Sequence, residues 1–188
     1  MWFASCDDGF VIGGLGREEI ETLRGVPMLI ESNDARVRDR LLPETYEDEE
    51  AEKEWRRHST PELERLFVSR AQVVRMDLAN IRQLKSVDSW VLTIGANHVN
   101  AWLASLNAAR LALYVMSDLT EEQMERDGAT TCSKKQLEAI GRIHFMAELQ
   151  CVLLGDVEAA DEDDEDDSFE AGDSGWTTGW PSGDATND

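Results

Sequence analysis

The sequence predicts a mainly helical α+β domain, in which three long helices form the core beside a minor two-stranded antiparallel sheet. Three observations predict it. Apolar residues recur at helical spacing in three long stretches. Two short stretches carry strand character instead. No apolar run approaches the roughly 20 residues that a membrane span requires. The 188 residues are enough to bury a core without metal or disulfide staples. The reading divides the chain into a globular domain over 1–155 and a disordered acidic tail over 156–188.

Phe10, Val11 and Ile12, bounded by Gly9 and the pair Gly13 and Gly14, read as a short strand followed by a turn. Gly13, Gly14 and Gly16 do not make a phosphate loop. No Gly-Lys-Ser/Thr follows, and Glu18 and Glu19 stand where an anion would sit. Arg17 to Ile30 reads as helix interrupted at Gly25 and Pro27. A further helix ends near Arg40, because Pro43 excludes helical geometry at Leu42. Glu44 to His58 has acids early and bases late, which suits a surface helix with Trp55 on its buried side.

Thr60-Pro61 then reads as the start of the first long helix, carried by Leu63, Leu66, Phe67, Ala71, Val74, Leu78, Ile81 and Leu84. From Val87 to Gly95 the period changes to two, with Trp90, Leu92 and Ile94 on one face, as in a strand that pairs with the one near Phe10. The second long helix runs from Ala96 to Ser117, burying Val99, Trp102, Leu103, Leu106, Leu113 and Tyr114. Helix ends or breaks at Gly128, and Ser133 with Gln136 form a capping box. Leu137, Ile140, His144, Ala147, Cys151 and Leu154 mark the third long helix, which stops at Gly155.

The net charge of −21 is unevenly placed: 13 acids and no Lys or Arg lie between Asp156 and Asp188, leaving −8 for the first 155 residues. Asp161 to Asp167 is an unbroken acidic run that cannot bury enough apolar surface to offset chain entropy. Such a field disfavours nucleic acid and anionic lipid and attracts a basic protein partner. Within the tail, Gly175-Trp176 and Gly179-Trp180 repeat a dipeptide, so Trp176 and Trp180 are candidate partner-docking residues.

Cys6, Cys132 and Cys151 are odd in number and far apart, as expected of reduced thiols in a cytoplasmic protein. Asp7 and Asp8 come too early for a secretory leader. The three histidines, His58, His98 and His144, form no two-histidine motif. The one-turn pair His144 and Glu148 reads as an ordinary helical contact, so neither a metal nor another cofactor is expected. No nucleophile elbow or Cys–base pair is visible, which leaves no catalytic residue to name.

Asn107 and Arg110 are one turn apart beside the apolar stripe of the second long helix. A half-buried Arg110 needs an acceptor, and the Glu47–Glu54 stretch is expected to supply a carboxylate. The alternative is a ligand or anion pocket with Arg110 as its fixed charge. Arg56, Arg57 and Tyr46 complete the candidate polar cluster.

Leu42-Pro43 with Tyr46 and Asp48, Trp55-Arg56-Arg57, and Trp102-Leu103 followed by Leu106-Asn107 and Arg110-Leu111-Ala112-Leu113 resemble the bacterial domain-of-unknown-function family twenty-seventeen. The resemblance spans about residues 9–155. Ala108 replaces the aspartate that usually follows the asparagine in that family, so a role resting on that carboxylate does not carry over. The resemblance implies a bacterial cytoplasmic origin and no activity. Through gene proximity to a Clp protease adaptor, it also implies a regulatory role linked to proteolysis. The sequence thus supports a noncatalytic binding or regulatory domain acting through protein contacts, with a small-ligand or anion pocket or an enzyme around Arg110 and Asn107 as the alternative.

Overall fold

The computed structural model describes residues 1–84, 88–125 and 132–155. The acidic segment, with Trp176 and Trp180, lies outside the described residues, as does Gly128. Among the described residues the chain is a mainly helical α+β fold with six α-helices and a four-stranded antiparallel sheet. No helix among them is long and apolar enough to cross a membrane.

The sheet is built from β1 (Trp2–Cys6), β2 (Gly9–Leu15), β3 (Arg82–Leu84) and β4 (Ser89–Gly95), in the order β1-β2-β4-β3. The expected pairing is present: Phe10 lies opposite Ile94, and Ile12 opposite Leu92. The expected two-stranded extent is not, because an edge strand is added on each side. On one side, β1 forms a hairpin with β2 around Asp7 and Asp8. On the other, Ile81 to Leu84, read as the end of a long helix, leaves it: the helix stops at Ala79 and Arg82–Leu84 pairs with Ser89–Val91.

The glycines after Ile12 do not form a turn either. They stay within β2, where the register with β4 shifts between Ile12 and Leu15. Gly14 takes the left-handed φ of 69°, which glycine adopts without a Cβ penalty. A Cβ on Gly13 would overlap the Trp2 indole.

Helix α1 (Arg17–Ile30) runs through Gly25 and Pro27 without a break. Val26 and Pro27 are buried, so packing holds a helix that local propensity opposes. After α2 (Ala35–Leu41), the two helices expected on either side of Thr60 are one, α3 (Glu49–Ala79), with Pro61 inside it. Its surroundings are exposed, so water can take the carbonyl that the proline leaves unbonded. At 31 residues α3 is roughly 46 Å long. Only its last third, at Ala71, Val74, Asp77 and Leu78, is buried.

A short 3₁₀ turn at Ala96–His98 leads into α4 (Val99–Met116), the central helix, with Trp102 and Leu106 fully buried. Then come α5 (Glu121–Met124) and α6 (Lys134–Leu154). The capping box of Ser133 and Gln136 is present, and Gly155 ends α6 at φ 77°. The buried face of α6 is not the expected one. Ala139, Ile143, Met146, Leu149 and Leu153 enter the core, whereas Leu137, His144, Cys151 and Leu154 are exposed. Both stripes have helical spacing, and contact with α4 selects between them. The core is one cluster, formed by Ile12, Leu92 and Ile94 of the sheet packed with α1, the end of α3, α4 and α6.

Candidate functional site: the Arg110 cleft

Arg110 and the exposed Asn107 lie on the face of α4 that helps line an open cleft of about 460 Å³, bordered by Arg40 of α2, Glu121, Met124 and Glu125 around α5, and Ile143 of α6. Hydrogen bonds tie the bordering elements together. Asp34 caps α2 by accepting from the Arg36 backbone at 2.9 Å. The Arg36 guanidinium donates to the Val115 carbonyl and to Asp118 at 3.2 and 2.7 Å, fastening α2 to the end of α4. Bonding to the Arg36 side chain, and then to its backbone amide, holds the Asp34 carboxyl below its ordinary range. On the other side, Thr120 and Gln123 form a capping box at α5, and Gln136 of α6 donates to Gln123 and to the Asp118 carbonyl.

Arg110 is half-buried, as its place beside the apolar stripe implied. Its partner is not the expected carboxylate. Nη1 donates at 2.6 Å to Oε1 of Gln150 on α6, and Gln150 Nε2 donates in turn to the Leu103 carbonyl at 3.0 Å. An amide therefore orients the guanidinium without neutralising it. Arg110 has no ion pair among the described residues. Its buried Nε has no acceptor there. No acid of the Glu47–Glu54 stretch lines the cleft, and Asp48, Glu52 and Glu54 are engaged within their own segment.

Those local bonds also account for the other sequence candidates. Glu52 accepts from the Thr45 and Tyr46 backbone amides at 2.9 and 3.0 Å and from Arg56 Nε at 2.6 Å. The two amides, more than Arg56, hold its carboxyl below the ordinary range. The Tyr46 ring meets Trp55 edge-on at 6.0 Å between centroids. Tyr46 and Arg56 thus belong to a clasp at the start of α3, and Arg57 is exposed. None of the three lines the Arg110 cleft.

A second polar constellation was not anticipated. Asp77 of α3, only 8% exposed, accepts from His98 Nδ1 at 2.9 and 3.0 Å to its two oxygens and from Trp102 Nε1 at 2.8 Å. An ionised carboxylate only accepts, which assigns the shared proton to Nδ1. The available signal was an aspartate three residues after Val74 on the core face of α3, together with His98 and Trp102 one turn apart.

Gln150 was legible only on the correct face of α6. Arg40, Glu121 and Glu125 carried no local signal. A larger groove of about 740 Å³ between α1 and α6 is lined by glutamates of both helices together with Lys134, Arg142 and His144, and by Leu137 and Phe145. It contains no buried polar atom lacking a partner, so the Arg110 cleft is the better candidate. No group of three or more His, Cys, Asp or Glu is placed to hold a metal among the described residues.

The family model described as a domain of unknown function (DUF2017) matches residues 8–181. The chain belongs to this family. The DUF2017 match starts at the β1–β2 hairpin, covers the cleft and the Asp77 network, and extends beyond the 9–155 span of the resemblance to include Trp176 and Trp180. No curated protein and no solved structure matches the chain. DUF2017 membership assigns no activity, so function rests on the chemistry of the site.

Proposed function

We propose that this DUF2017 protein is a noncatalytic binding domain that takes a carboxylate-bearing ligand in the Arg110–Asn107 cleft, and that binding serves a regulatory role. The observation that carries this reading is the Arg110 guanidinium, held by the Gln150 amide and in no ion pair among the described residues. A fixed planar guanidinium grips a carboxylate at two points with little loss of side-chain freedom. The volume suits a small ligand or one side chain of a partner. Among the described residues the lining has no Ser, Thr, Cys, His or Lys, which favours binding over attack by an aliphatic hydroxyl, thiol or amine nucleophile. A second reading, contact with a basic protein partner, is supported by the net charge of −21.

Calorimetric titration with 4-methylpentanoate, a carboxylate on an apolar body, tests the first reading. Saturable binding to the wild type is expected, with loss in Arg110→Ala and partial retention in Arg110→Lys, both variants melting cooperatively. Equal binding by wild type and Arg110→Ala, or failure of the wild type to bind either 4-methylpentanoate or its α-amino counterpart leucine, would overturn it.

A further inference from the structure

Besides Arg110, three charged side chains line the same cleft: Arg40, Glu121 and Glu125. None of the four is in an ion pair among the described residues, with one another or with anything else. Arg110 is half-buried and fastened to Gln150, while Arg40, Glu121 and Glu125 are exposed. Two cations and two anions sum to zero, so a ligand carrying one charge meets opposite charge from one pair only. A neutral ligand with both charges satisfies both.

The rest of the lining includes Leu111, Tyr114, Met124 and Ile143, which offer apolar surface and one phenol. We infer that the cleft is shaped for an α-amino acid with an apolar side chain, its carboxylate on Arg110 and Asn107 and its ammonium on Glu121 and Glu125. The inference rests on the carboxylate-binding reading above and specifies the ligand class. A peptide carboxy terminus fits less well, because its amine is already an amide and the glutamates then face a group with no charge.

Leucine, 4-methylpentanoate and leucinamide separate the contributions, since the second lacks only the ammonium and the third only the carboxylate. In calorimetric titrations of the full chain, leucine is expected to bind at least about tenfold more tightly than either analogue, as one charge-assisted contact is worth roughly 1.5–3 kcal/mol and 1.4 kcal/mol is tenfold. Glu121→Gln with Glu125→Gln should abolish the advantage of leucine over 4-methylpentanoate by weakening leucine, while 4-methylpentanoate, relieved of two negative charges, binds no more weakly than to the wild type. Phenylalanine with 3-phenylpropanoate and phenylalaninamide repeats the comparison for a larger side chain. If both amino acids bind no better than their des-amino analogues, the inference falls and the carboxylate reading stands. If 4-methylpentanoate, 3-phenylpropanoate and both amino acids fail to bind, both fall. If the amides bind as well as the amino acids, the carboxylate has no role and both fall again.

Discussion

Asp77 and Arg110 are both charged residues on apolar helix faces, and the structure treats them differently. Asp77 sits where α3 meets α4, and its two oxygens are taken by the imidazole of His98 and the indole of Trp102. Arg110 sits where α4 meets α6, and a single hydrogen bond donated to the Gln150 amide oxygen orients it. The first arrangement is closed, each donor being supplied from within the fold. The second is open, with Nε unmatched on a residue that lines a cleft. A closed polar network fixes the packing of its elements, whereas an open one keeps interaction capacity for something else. The contrast separates a structural tie from a candidate site although both are built from one charge on one helix.

The contrast breaks most readily at Asp77. Asp77→Ala leaves the Trp102 and His98 donors without their acceptor in a buried place, and urea unfolding should show a loss of about 3 kcal/mol. Asp77→Asn should lose less, since its amide oxygen still accepts one donor. A loss below ~1 kcal/mol in the alanine variant would mean that the network does not tie α3 to α4.

A smaller effect is expected at Arg110. Replacement by Ala removes one hydrogen bond, but Gln150 keeps the Leu103 carbonyl, so thermal unfolding should register about 1 kcal/mol. A buried carboxylate pair would instead lose about 3 kcal/mol, and a loss of that size would show Arg110 to be a structural tie like Asp77.

The smallest effect sharpens the comparison with a third charge, Glu52, outside the core and covered by the Thr45–Tyr46 turn and Arg56. The folded carboxyl of Glu52 is depressed, so its contribution is present above the ordinary carboxylate range and is lost as pH falls through the lower folded value. The amide resonances of Thr45 and Tyr46 should therefore move on acidification in the wild type and stay still in Glu52→Gln. Movement in both would assign the titration to another group.

Much of the fold was legible because it rests on local signals. The strands at Phe10–Ile12 and Trp90–Ile94, the second long helix and the cap at Ser133 follow from period and side-chain chemistry within a few residues. The misread elements share a cause. Pro27 and Pro61 speak locally against helix, and the fold overrides them, by burial in one case and solvent access in the other. The edge strands β1 and β3 are short and mostly exposed, so no alternation announces them.

By itself, the sequence determined the mainly helical fold class, the second and third long helices, the central strand pair and the place of Asn107 and Arg110 on one helix face, since periodicity and capping act within single turns. Tertiary structure alone decided which stripe of α6 is buried, that Gln150 rather than a glutamate meets Arg110, and that Asp77 meets His98 and Trp102. The cleft itself is of the same kind, because its lining comes from α2, α4, α5 and α6. Contacts between helices far apart in the chain depend on how each is rotated about its axis. That rotation is set by packing against all of its neighbours together, and no local window of sequence contains it.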